Sequence, residues 1–342
     1  MHRTIARKPN LLMKTLLLIL AKRPHPSLPR ELPRTGSVRV GVLTDIGDAM
    51  HAPCAKRRMP KDGSVIGVMS SVELQLPPQI GSWDRGDPRA ARRAIRSGAY
   101  AGYTAGIAGG YVQANVCILP RAYAEDFLLY CQRNPKPCPL LARSDPGDPR
   151  LPALAEDLDI RTDIARYHVF RDGELVQELS DISSIWSDDL ITFALGCSFS
   201  FEEALQLAGL RLRFLERGNV AGVYVTDIAT VAAGRFQGPL VVTMRAFKPA
   251  DAIRAVQVTS RFPNVHGAPV HIGNPGQIGV DLRKRYHNVG DGEVADDELP
   301  VFWACGLTPQ LAVKNARPPL CITHTPSYML ITDVRNAALA VL

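Results

Sequence analysis

Short apolar runs alternate with amphipathic stretches through most of this chain. Asp87-Pro88 opens a helix as N-cap and first turn, and Gly98 closes it. Arg89, Arg92, Arg93 and Arg96 fall at helical spacing on one side of it, which reads as a solvated face. Ala122–Arg133 has a helical period with Phe127, Leu128 and Cys131 inward, and Pro135, Pro137 and Pro139 end it. Tyr167 to Glu178 alternates as a hairpin turning at Asp172-Gly173. Trp186–Leu195 and Ser200–Ala208 read as two helices broken at Gly196.

Farther on, Pro239 to Met244 is an apolar strand and Pro249–Ser260 a helix. Pro269 to Ile272 and Val301 to Ala304 are strands, Thr308–Ala316 is a helix, and Leu320 to Thr323 is a last core strand. Strands alternating with helices predict an α/β fold: a single large domain with a mixed β-sheet flanked by helices.

Charge divides the chain unevenly. Residues 1–68 carry 13 Lys+Arg against 4 Asp+Glu, whereas the remainder is slightly acidic. That stretch also holds Pro24, Pro26, Pro29 and Pro33, so it reads as a disordered basic extension, or as translation from a start codon placed too far upstream. Leu11–Ala21 is too short to span a bilayer. Starting at Met69 leaves 274 residues, a sensible single domain. A body without net positive charge predicts no nucleic-acid partner, and no membrane association is expected.

Seven cysteines at irregular spacing do not make a secreted disulfide framework, so the thiols read as reduced and the compartment as cytoplasmic. Cys131 and Cys138 flank a proline-rich turn without the second close pair that a zinc ribbon needs. His266 and His271, five apart, point to opposite faces of an extended strand, so no metal is expected.

The segment Thr192 to Leu205 places Cys197 and Ser198 between an apolar run and a new helix. Ser200 and Glu203 have capping-box spacing. A thiol just before a helix N-terminus is expected to be acidified, and an anion is welcome there. Gly102 to Gly110 is rich in glycine and lets backbone approach a ligand, but lacks a dinucleotide-loop order.

Gly196-Cys-Ser-Phe-Ser-Phe-Glu202 resembles the D-glutamate cyclase family, whose bacterial members are called hydro-lyases. Further segments agree in order. They include Gly102-Tyr-Thr-Ala-Gly106, Gly110-Tyr-Val-Gln-Ala-Asn115, Cys131-Gln-Arg-Asn-Pro-Lys-Pro-Cys-Pro139, Asp159-Ile-Arg-Thr-Asp163, Thr259-Ser-Arg-Phe-Pro263, His266-Gly-Ala-Pro-Val-His-Ile-Gly273, Pro300-Val-Phe-Trp-Ala-Cys-Gly306 and Cys321-Ile-Thr-His324. The resemblance spans about Arg89 to Asn336.

It implies an enzyme that expels water as D-glutamate closes to 5-oxo-D-proline. Such a reaction needs a cation for the α-carboxylate, a base for the amine and donors for the oxyanion. Arg161, Arg245, Arg261 and Asn115 are the expected substrate-binding residues. Cys197, as an acyl-forming nucleophile, with His266 and His324 as acid and base, are the expected catalytic ones. The expected partner is a small acidic metabolite, with a possible homo-oligomer and no cofactor.

The chain departs from the family pattern at Gly109, Val225, Asp227, Ser327 and Tyr328, where the pattern has Pro, Arg, Asn, Gly and His. Two other functions stay open: a non-catalytic binding protein for an acidic metabolite, and an amidohydrolase that opens 5-oxoproline.

Overall fold

The computed structural model describes residues 83–341. The expected extension at 1–68 lies outside the described residues. After helix α1 (Pro88–Arg96), strand β1 (Tyr111–Pro120) leads directly into α2 (Arg121–Arg133). Then come β2 (Leu140–Arg143), the hairpin β3 (Tyr167–Arg171) and β4 (Glu174–Leu179), β5 (Leu190–Leu195), α3 (Phe199–Leu207) and the single turn α4 (Arg213–Glu216). The C-terminal part runs β6 (Gly222–Ala229), β7 (Pro239–Phe247), α5 (Pro249–Thr259), β8 (His271–Ile272), β9 (Leu299–Ala304), α6 (Leu307–Ala316), β10 (Cys321–His324) and β11 (Leu330–Arg335).

The α/β class holds, and the strands divide into two sheets. The first has the order β2-β5-β1-β10-β3-β4, with β11 also pairing β1; the second is β6-β7-β9-β8. Every ladder between these strands is antiparallel. Strand β1 is buried along eight of its ten residues, with Gln113 and Asn115 as the polar side chains among them. On one face, Val116, Ile118 and Ile322 meet Leu151, Leu158 and Ile164 of the loop between β2 and β3. On the other, Cys117, Phe193 and Cys321 meet Phe127 and Tyr130 of α2 and Val313 of α6. Helix α6 thus starts from the second sheet and covers the first. Trp303 and Val301 of the second sheet pack with Phe201, Leu205 and Ala255 from α3 and α5.

The predicted helix at Trp186–Leu195 is instead strand β5, laddered to β1 from Asn115↔Leu195 to Pro120↔Leu190. Leu190 to Leu195 is wholly buried, and a run that is apolar on every side carries no period to separate helix from strand. The arginine face of α1 also differs from expectation. Arg92 is fully buried, bonded to Asp157 and, at 2.8 Å, to Asp333, and Arg96 grips Asp163. Buried Arg92 is met by partly exposed carboxylates and buried Asp163 by a partly exposed guanidinium, because a lone charge in the interior is too costly.

Candidate active site

The site grows from the end of β5. Gly196 has no room for a side chain: a Cβ there would lie 2.1 Å from the Asn264 carbonyl oxygen. Its own carbonyl accepts from Asn115 Nδ2 at 2.9 Å. The same carboxamide lies against Gly306, where a Cβ would come within 2.4 Å of Nδ2. Asn115 on β1 therefore wedges between two matched junctions, β5 into α3 and β9 into α6. A cysteine stands just before each helix, Cys197 and Cys305, and each thiol sulfur takes a backbone N–H two residues on, from Phe199 and Leu307.

The expected capping box does not form. Ser198 occupies the N-cap without a capping bond. Its Oγ turns to Glu202 at 3.3 Å. Ser200 Oγ is buried without a partner among the described residues, and Glu203 binds Asn336. A stronger claim on these groups comes from Arg245 of β7. Arg245 is 2 % exposed; Nη2 bonds Glu202 and, at 3.1 Å, Ser198 Oγ, and Nη1 reaches Thr243 Oγ1 at 3.0 Å. Its guanidinium lies 5.1 Å from the Phe201 ring and 5.3 Å from the Trp303 ring. The charge is neutralised inside the protein, so Arg245 is a positioning residue for Ser198 and Glu202 more than an open clamp.

His266 enters on the turn that packs against Gly196. It ends the Pro263–Val265 turn with a left-handed backbone, φ 82°. Its Nδ1 lies 2.8 Å from the Lys136 carbonyl oxygen, which can only accept. Nδ1 therefore carries the hydrogen, and Nε2 keeps a lone pair. Burial pushes the His266 pKa down to about 4, with the charges of Arg245 and Lys136 adding to the effect, so the ring is neutral at pH 7. Lys136 itself donates from Nζ to the Ala268 carbonyl at 2.5 Å, and burial lowers its pKa too.

The thiols reverse the expectation drawn from their positions. Burial pushes Cys197 up to about 12 and Cys305 up to about 11, outweighing the backbone donors at the helix starts. Both stay protonated at neutral pH. Helix-end acidification needs a thiol in a polar, electropositive setting, and here the apolar surroundings dominate.

The structure thus gathers Asn115, Cys197, Arg245 and His266, but not the others. His324 ends β10, and β1 stands between it and β5. Strands β10 and β11 leave a gap in their pairing with β1, and His324 Nδ1 fills it by accepting the Val116 N–H at 3.0 Å. Arg161 is clamped to Asp159 at 2.7 Å. Arg261 is exposed and bonds the Val341 carbonyl. Two site residues escaped sequence reasoning: Glu202 and Lys136. Cys305 is legible as a strand-end thiol, since Ala304-Cys305-Gly306 repeats the strand–Cys–helix order of Leu195 to Phe199. Among the described residues, no group of three or more His, Cys, Asp or Glu side chains gathers in a metal-binding arrangement.

Proteins of known sequence are similar to this chain over most of its length. A protein of Afipia carboxidovorans named "putative hydro-lyase" is 68 % identical over 261 residues, covering 76 % of this chain and 96 % of its own length. The family model described as D-glutamate cyclase matches residues 191–333, from β5 into β11. The chain belongs to the D-glutamate cyclase family. Similarly named proteins of Bordetella petrii and Bradyrhizobium diazoefficiens are each 57 % identical. The first match covers 74 % of this chain and 96 % of the relative, the second 74 % and 93 %. Ser327 holds φ 74°, a conformation suited to glycine. Tyr328 packs 5.0 Å from the Tyr103 ring, with the Arg166 guanidinium 5.3 Å from its own. Among the described residues, no helix is long and apolar enough to cross a membrane.

Proposed function

We propose that this chain is a hydro-lyase acting on a small acidic amino acid, closing D-glutamate to 5-oxo-D-proline. The observation that carries this reading is His266: a buried, neutral imidazole held as one tautomer, on the turn against Gly196, in a chain of this family. Its Nε2 lone pair accepts a proton from the substrate ammonium. The freed amine attacks the γ-carboxyl carbon, a C–N bond forms, and the C–O bond breaks. The two protons lost by nitrogen leave with the carboxylate oxygen as water, so the sum balances without an outside reactant.

Lys136 supplies positive charge for a substrate carboxylate, a role better suited to it than to the internally paired Arg245. The protonated Cys197 acts as a hydrogen-bond donor rather than as an acyl-forming nucleophile, which favours direct attack. A cytoplasmic setting, with thiols reduced, fits this chemistry.

Incubating purified protein with D-glutamate, and separately with 5-oxo-D-proline, decides between lyase and hydrolase by mass spectrometry. Loss of water from D-glutamate, abolished in His266→Asn, supports the reading. No loss from D-glutamate, L-glutamate or small hydroxy acids overturns it.

A further inference from the structure

The loop before β1 forms one wall of a cavity of about 220 Å³, and α3 and the α4 turn face it. This volume lies below the roughly 300–1,000 Å³ of drug-sized sites, so it suits a small ligand.

Its lining sets aromatic rings beside acidic groups. Tyr111, Phe199 and Phe214 line it together with Glu202 and Glu203, and the lining holds no Lys, Arg or His. Two of the three rings already attract a cation of the chain itself. The Arg245 guanidinium lies 5.7 Å from the Phe214 ring, and the Arg335 guanidinium 4.0 Å from the Tyr111 ring. The negative faces of such rings draw positive charge. Phe199 is half-buried, and its ring has no such cation among the described residues.

The two carboxylates differ in their partners. Glu202 is neutralised by Arg245. Glu203, half-buried, accepts from Asn336 Nδ2 at 2.6 Å and forms no ion pair among the described residues. Its other oxygen, Oε1, lies 3.8 Å from the point where a Gly110 Cβ would sit, and Gly110 is itself part of the lining. The exposed Arg335 comes near as well, with Nη1 3.4 Å from the same point, but it stacks on Tyr111 instead of closing on Glu203.

The wall offers a charge but few acceptors. The side-chain oxygens of Gln113 and Asn336 are enclosed and do not face the cavity, and Gln206 and Asn219 are exposed to water. A primary ammonium would bring three N–H groups to rings that cannot pair them all. An ammonium whose hydrogens are replaced by methyl groups needs only ring faces and a counter-charge.

We propose that this cavity binds a small methylated ammonium ion, with Glu203 as its counter-charge and Phe199 as its aromatic face. The site is separate from the residues assigned to water loss, so its failure would leave the hydro-lyase reading untouched.

Calorimetric titration of the full chain tests it with three probes: choline, dimethylbutanol as its uncharged carbon isostere, and ethanolamine as its primary amine. Choline should bind at least tenfold more tightly than either of the others. Glu203→Gln keeps an acceptor for Asn336 but loses the charge; it should weaken choline about tenfold and leave the isostere unchanged. Phe199→Leu keeps an apolar side chain but loses the ring, and should weaken choline severalfold more than the isostere. Arg335→Gln removes a nearby positive charge and should tighten choline. No binding of choline, or equal binding of choline and the isostere, overturns the proposal. So does an unaltered choline affinity in Glu203→Gln or, should that variant fail to fold, in Phe199→Leu.

Discussion

His266 gives its Nδ1 hydrogen to the carbonyl of Lys136 at 2.8 Å, and that bond decides which ring nitrogen is left for chemistry. His324, with a similarly depressed pKa of about 4, uses Nδ1 as an acceptor for the Val116 N–H. Two buried histidines thus hold opposite tautomers, one beside the α3 junction and one inside the first sheet.

Replacing His266 by Asn keeps a donor near Lys136 but removes the base. Turnover should fall roughly a hundredfold or more. In the wild type, the acid limb of kcat/KM should lie near pH 4, where the imidazole protonates, rather than near its ordinary 6.5. A profile measured from pH 4 to 8 checks both.

Stability should follow the same two groups. Their folded pKa values lie below the unfolded value of 6.5, so the unfolded chain binds more protons in between. Their contribution is complete above pH 6.5, and is lost as pH falls toward about 4. Melting temperature should be flat above that window and decline within it, and His266→Asn should lessen the decline.

Cys197 and Cys305 should resist iodoacetamide at pH 7 and react only as pH approaches the range of 11 to 12. Cys197→Ser retains a donor, so its activity should stay within about tenfold of wild type. A thousandfold loss, or a trapped acyl-enzyme, would restore the covalent route.

Glu202→Gln leaves the Arg245 guanidinium buried against Phe201 and Trp303 without its carboxylate. The expected loss is about 3–5 kcal/mol by denaturant unfolding. Adding Arg245→Met should recover much of it, because the isolated charge is then gone.

Arg161→Ala and Arg261→Ala should leave KM for the substrate unchanged, since Arg161 is held by Asp159 and Arg261 sits at the exposed C-terminal edge. A severalfold rise in KM for either would place the substrate elsewhere.

Much was legible in the amino-acid order. The hairpin turning at Asp172-Gly173, the helices after Ala122 and Pro249, and the junction at Gly196 follow from local period and turn chemistry, which act over a few residues. The Leu190–Leu195 strand was not legible, because its burial on both faces is imposed by the β2–β3 loop on one side and α2 on the other. Nor could local sequence reveal that Arg245, 43 positions from Glu202, would meet it, or that Asn115 would join Gly196 to Gly306. The acidity of Cys197 shows the limit most clearly. Its place before a helix is written in the sequence and favours the thiolate, but desolvation is set by residues distant in the chain, and only tertiary packing makes it the larger effect.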